Sequence, residues 1–185
     1  RAEAGLLDDA ARLTALRQAQ GEGGLVYLAH DGWSLTHGLT ASRELHLSID
    51  GRRLGGTDAL TALSAAERKR FALVLDRTRL DGVPFTIRFH LHPDVDATLD
   101  MGGHAVSMQL RSGEIWVFRH GGVAKLALEP SVYLEKGRLK PRATSQIVLS
   151  AHARDLETRI GWTLAKAQDT PLAIRDLDRD DPVTL

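Results

Sequence analysis

The chain has 185 residues, enough for one domain with a sizeable apolar core and no external staples. Its 24 Lys and Arg balance 24 Asp and Glu, so no long-range field draws it to nucleic acid or to an acidic membrane; a polyanion would need a local patch. Cysteine is absent, which excludes a disulfide framework, thiolate chemistry and redox function, and no apolar run reaches the roughly 20 residues that span a bilayer.

The N-terminus lacks the charged, apolar and small-residue succession of a signal peptide. The sequence opens at Arg1 and reads as the middle of something longer, so a processed piece or fragment is expected, with any export signal upstream. Residues 6–20 are rich in Ala, Leu, Arg and Gln, which favours helix, although Leu13 and Leu16 form a thin apolar stripe. Gly21-Glu22-Gly23-Gly24 then precedes Leu25-Val26-Tyr27-Leu28, and a glycine-rich turn between two extended runs suits a hairpin.

From Leu39 to Ile49, the apolar Leu45, Leu47 and Ile49 alternate with Glu44, His46 and Ser48, and Asp50-Gly51 follows directly. This predicts a hairpin with a type I′ turn. The return arm, Arg52 to Leu60, carries Gly55-Gly56, which predicts a bulge or sharp bend and short pairing. Residues 61–80 break the two-residue period. Ser64-Ala65-Ala66-Glu67 has capping-box spacing, and Phe71, Val74 and Leu75 offer one apolar face, so a short helix near residues 64–76 is expected as an insertion at the rim of a sheet.

Pro84 to Val95 alternates strictly. Phe85, Ile87, Phe89 and Leu91 occupy one parity and can enter a core, while His90 and His92 share the polar face with Arg88, and Pro93 stops the run. His104 to Leu110, the turn Ser112-Gly113 and Ile115 to Phe118 form the clearest hairpin. Val123 to Leu128, Val132 to Leu134 and Thr144 to Leu149 add short strands, and Thr158 to Lys166 closes the series with Ile160, Trp162 and Leu164 on one parity. Many short antiparallel strands without intervening helices predict an all-β antiparallel β-sandwich as a single domain over residues 1–168. From Asp169 the chain is charge-dense and is read as a solvated tail without a site.

Eight histidines invite a metal or acid-base hypothesis, because imidazole ligates zinc and titrates near neutral pH. His90 and His92 could share an ion if a neighbouring strand supplied a third ligand, and His30-Asp31 offers a second pair; the alternative for His90 and His92 is a solvent-facing or groove-lining role. Trp33 either stacks on a sugar or fills the core. His37 and His46 fall within one hairpin, and His104, His120 and His152 stand beside turns as surface residues. Arg43, Arg88, Arg138, Lys140 and Arg142 could form a positive patch, since guanidinium forks match carboxylate and sulfate oxygens; the stretch 138–142 reads better as an exposed loop, and Arg88 is better placed, beside His90. The candidates are therefore His30, Trp33, Arg88 and His90 for a ligand, and His30, Asp31, His90 and His92 for a structural divalent metal such as zinc, with no cofactor required. There is no nucleophile elbow, no phosphate loop and no paired carboxylates at glycosidase spacing; Gly102-Gly103 and Gly121-Gly122 are turn pairs, which disfavours nucleotide chemistry.

In order along the chain, His30-Asp31-Gly32-Trp33, Pro84 to Val95 and Ser131-Val132-Tyr133-Leu134 resemble the C-terminal region of bacterial heparinase II/III-like polysaccharide lyases, over about residues 20 to 166. The resemblance implies a supersandwich-like fold and a strand rather than a helix in the second half of residues 6–20. It implies β-elimination on a uronic-acid polysaccharide, with the catalytic Tyr and Asn or His on an N-terminal helical toroid. The histidine that family sandwich domains contribute to the cleft lies before the matched part, so no catalytic residue is carried onto this sequence and the chain alone is expected to be inert. The implied partners are an acidic polysaccharide and the toroid, with neither nucleic acid nor membrane, in the periplasm or else the cytoplasm. Thr40-Ala41-Ser42-Arg43 departs from relatives that are richer in His and Arg. The alternative is a stand-alone carbohydrate-binding or assembly module without catalysis.

Overall fold

A computed structural model describes residues 13–20, 23–137 and 139–167. Among these, the strands are β1 (Leu13–Gln20), β2 (Gly23–Trp33), β3 (Leu39–Ser48), β4 (Arg53–Thr61), β5 (Val83–His90), β6 (Asp96–Asp100), β7 (Ala105–Gln109), β8 (Ile115–His120), β9 (Lys125–Tyr133), β10 (Arg142–Ala153) and β11 (Glu157–Lys166). Helix α1 (Ser34–His37) follows β2, and α2 (Ala65–Arg77) follows β4. An eight-stranded sheet runs in the order β1-β2-β3-β4-β11-β8-β7-β6 and faces a three-stranded sheet, β5-β10-β9; every pairing is antiparallel. The expected sandwich is the fold.

Period-two patterning does the sorting. In β5, Val83, Ile87 and, less completely, Phe85 and Phe89 turn inward while Pro84, Thr86, Arg88 and His90 face out. They meet Ile147, Leu149 and Ala151 of β10, Leu126 of β9 and, from the large sheet, Val106, Met108, Phe118, Ile160 and Trp162. Each such side chain contributes about 1.5–3 kcal/mol by leaving water. The small sheet is narrower than its partner, and the large sheet extends past the free edge of β5, where residues of β2, β3 and β4 line a cleft with β5.

Helix α2 closes one end. Ser64 Oγ accepts from the Glu67 amide at 3.1 Å and Glu67 Oε2 accepts from the Ser64 amide at 2.7 Å, completing the capping box that the spacing predicts. Phe71, fully buried, packs with Leu39, Leu60, Ala62, Val83 and Ala153, with Val74 and Leu75 beside it. Glu67 Oε1 also accepts from Thr40 Oγ1 at 2.6 Å, tying the helix to β3.

Several sequence expectations are corrected. Residues 13–20 are strand, as the resemblance implied for the second half of residues 6–20 and against the helix propensity, which pairing along β2 overrides; residues 6–12 and the tail from Asp169 lie outside the described residues. The β3-β4 hairpin turns through Ile49 and Asp50, with the Gly51 amide on the Ser48 carbonyl and Gly51 at φ 67°; Asp50 is not left-handed, so the turn is not type I′. Gly55-Gly56 makes no bulge: β4 pairs without a register break on both sides, from Leu47↔Leu54 to Thr40↔Thr61. Val123 to Leu128 and Val132 to Leu134 are not two strands. They belong to one strand, β9, which runs through Pro130 because β9 is an edge strand and Pro130 need donate no outward ladder bond. Strand β6 and helix α1 had no counterpart in the pattern reading, and His37 ends α1 rather than standing in the hairpin.

Candidate functional site

Where the large sheet overhangs β5, a cleft of about 360 Å³ opens. Its floor follows from cross-strand register. Leu28, Arg43, Asp58 and Ile160 stand opposite one another on β2, β3, β4 and β11, and His30, Ala41 and Leu60 form the next row on the same face. Phe85, Ile87 and Arg88 of β5 complete the wall, and Trp33 stands at the mouth, 44% exposed. The register between β2 and β3 shifts between His30 and Trp33, which ends regular pairing there. The Trp33 ring lies edge-on to the His30 ring, centroids 4.7 Å apart, and His30 Nδ1 is buried without a hydrogen-bond partner among the described residues.

At the inner end lies a charge network that sequence reasoning missed. Asp58 Oδ1 accepts from Arg43 Nε at 2.7 Å and Oδ2 from Trp162 Nε1 at 2.8 Å. The Arg43 guanidinium lies over the rings of Phe89 and Trp162, 5.3 and 5.9 Å from their centroids. Arg43 therefore stitches the two sheets rather than offering a free charge. The available signal was a carboxylate on the inward parity of Leu54, Gly56, Asp58 and Leu60.

Three of the expected ligand residues, His30, Trp33 and Arg88, thus share one cleft, while His90 borders a separate groove on the outer face of the small sheet. His30 also borders a second cleft with Asp31, Thr40, Glu67 and Arg70. His92 falls beyond the end of β5, against the Tyr133 ring and 3.7 Å from Asp94. The residues offered to a metal are dispersed, and among the described residues no three His, Asp or Glu side chains gather as a zinc site requires. Arg142 does not lie in an exposed loop: it opens β10 and donates to Asp94 at 2.8 Å, which holds the Asp94 carboxyl below its ordinary value. Arg138 lies outside the described residues.

Residues 2–163 match the family described as heparinase II/III-like, C-terminal. The chain belongs to that family. This heparinase II/III-like domain is 34% identical over 168 residues to FtsZ-localized protein C of Caulobacter vibrioides, a match that takes 88% of the chain and 27% of that relative. Its fold is similar to that of heparan sulfate lyase HepC from Pedobacter heparinus, with a TM-score of 0.62 at 9% identity over 86% of this chain and 22% of that one. A heparinase III, the BT4657 gene product, superposes with a TM-score of 0.63 at 9% identity, over 85% of this chain and 22% of its own. The domain spans about a quarter of the length of these relatives.

Proposed function

We propose that this domain forms one wall of a cleft for a uronic-acid-containing polysaccharide and supports a catalytic helical toroid in a longer protein. The observation that carries this reading is the convergence of His30 and Trp33 with Arg88, more than fifty residues further along the chain, on one groove beside the free edge of β5. A half-exposed indole suits the face of a sugar ring, and Arg88, which gives Nη1 to Glu129, has further N–H groups to offer its carboxylate. Elimination needs a base for the C5 proton, a donor to the C4 oxygen and neutralisation of the uronate. Among the described residues Asp58 is the one carboxylate bordering the cleft, and both its oxygens are already held by Arg43 and Trp162. We assign catalysis to the toroid, since a lone His30 imidazole supplies neither the second proton-transfer group nor the pairing that elimination needs, and this chain alone is expected to give no unsaturated uronide from heparan sulfate, alginate or hyaluronan.

Titration with a glucuronic acid–N-acetylglucosamine tetrasaccharide, followed by calorimetry, tests the wall. Trp33→Ala is expected to weaken binding about tenfold. Absence of saturable binding by the unmodified chain, or equal affinity in the variant, would overturn it.

A second reading, an assembly module without a saccharide ligand, is favoured by the 34% identity to FtsZ-localized protein C. Co-sedimentation with FtsZ filaments, undiminished by Trp33→Ala, would be its outcome.

A further inference from the structure

On β10, Ile147 and Leu149 point into the core, so Gln146 and Val148 point away from it, toward what should be solvent. Yet they are only 8% and 1% exposed. Two side-chain bridges pass over β10 from β5 to β9: Arg88 Nη1 donates to Glu129 Oε2 at 2.9 Å, and His90 Nδ1 lies 2.9 Å from Ser131 Oγ. Beneath them Gln146 Nε2 makes a stretched 3.5 Å bond to Glu129, and Gln146 Oε1 has no partner among the described residues. A shallow groove of about 490 Å³ lies here, bordered by Arg88, His90, Pro130, Ser131, Val132 and Gln146.

A buried acceptor left without a donor costs about 1–3 kcal/mol, and a bound hydroxyl would remove that cost. Glu129 stands beside this groove, bonded to Arg88 and Gln146, so a carboxylate placed here would meet a like charge, whereas a hydroxyl both donates and accepts and meets no repulsion. Exposed ion pairs contribute only about 0–1 kcal/mol, so the Arg88–Glu129 bridge can rearrange around a ligand at little cost.

We propose that this groove is a second saccharide subsite, taking the hydroxyl groups of a neutral sugar residue with Gln146, Ser131 and His90 as its polar partners. Arg88 borders both this groove and the Trp33 cleft, so the subsite deepens the polysaccharide reading, on which it rests, by placing a neutral sugar beside the uronate. Nitrogen-15 NMR of the full chain separates the two, with cellotetraose and the glucuronic acid–N-acetylglucosamine tetrasaccharide as probes. Cellotetraose is expected to shift the Gln146 side-chain amide, and Gln146→Met and Ser131→Ala to weaken its binding about three- to tenfold while the uronate probe still shifts the Trp33 indole. A Gln146 amide unmoved by both probes, or unchanged affinity in both folded variants, would overturn the subsite. A response at Gln146 with silence at Trp33 would sustain the subsite and remove the uronate cleft.

Discussion

Gly56 lies against the indole of Trp162, directly opposite on the neighbouring strand, and a Cβ at position 56 would come within 2.2 Å of that ring's Cζ2. The missing side chain is what lets the ring lie where its Nε1 reaches Asp58 and its face meets Phe89 and Phe118. Gly56→Ala is therefore expected to cost about 1–3 kcal/mol through overpacking, read as a lowered Tm and a shifted tryptophan emission. The adjacent Gly55 has nothing closer than 3.9 Å to such a Cβ, so Gly55→Ala should be neutral or stabilising by up to about 1 kcal/mol. Equal effects at the two positions would refute this account.

Asp58 joins the sheets through Arg43 and Trp162, with its side chain largely withdrawn from water. Asp58→Ala leaves a guanidinium and an indole N–H without their acceptor and should cost about 2–3 kcal/mol in denaturant unfolding. Arg88 and Glu129 are both exposed by more than a third, so Arg88→Met should cost under about 1 kcal/mol. A reversed order would mean that the network is not what holds this end of the sandwich.

Burial raises the Glu67 carboxyl, but hydrogen bonds from Thr40 and Ser64 outweigh it and hold the group below its ordinary value of 4.5. Because the folded value is the lower one, the group's contribution to stability is complete above pH 4.5 and is lost as pH falls through that depressed value. Chemical denaturation across that range should show a steeper acid loss for the unmodified chain than for Glu67→Gln. Parallel curves would rule out Glu67 as a source of the acid sensitivity.

Phe71 is the anchor of α2, fully buried among Leu39, Leu60, Ala62, Val83 and Ala153. Phe71→Ala should cost about 3–5 kcal/mol, and hydrogen exchange should then be fastest in α2. Uniform loss of protection across both sheets instead would show that the helix is not a separable cap.

The capping box at Ser64 and Glu67, the inward Phe85, Ile87 and Phe89, and the β7-β8 hairpin were legible because each depends on residues close in sequence. Gly56, Asp58 and Gln146 were not. Period two states which side of a strand a residue faces, but not which residue stands opposite on another strand, and Trp162 is 106 positions from Gly56, by subtraction of their numbers.

By itself the sequence determined that this chain makes antiparallel strands with one capped helix, since alternation and capping are local consequences of backbone geometry. Only tertiary structure decided that the strands divide eight against three, that the narrower sheet leaves a cleft beside β5, and that His30, Trp33 and Arg88 meet there while His90 does not. Those choices rest on long-range pairing, where many registers satisfy the same alternation and the closest joint packing of both sheets selects one.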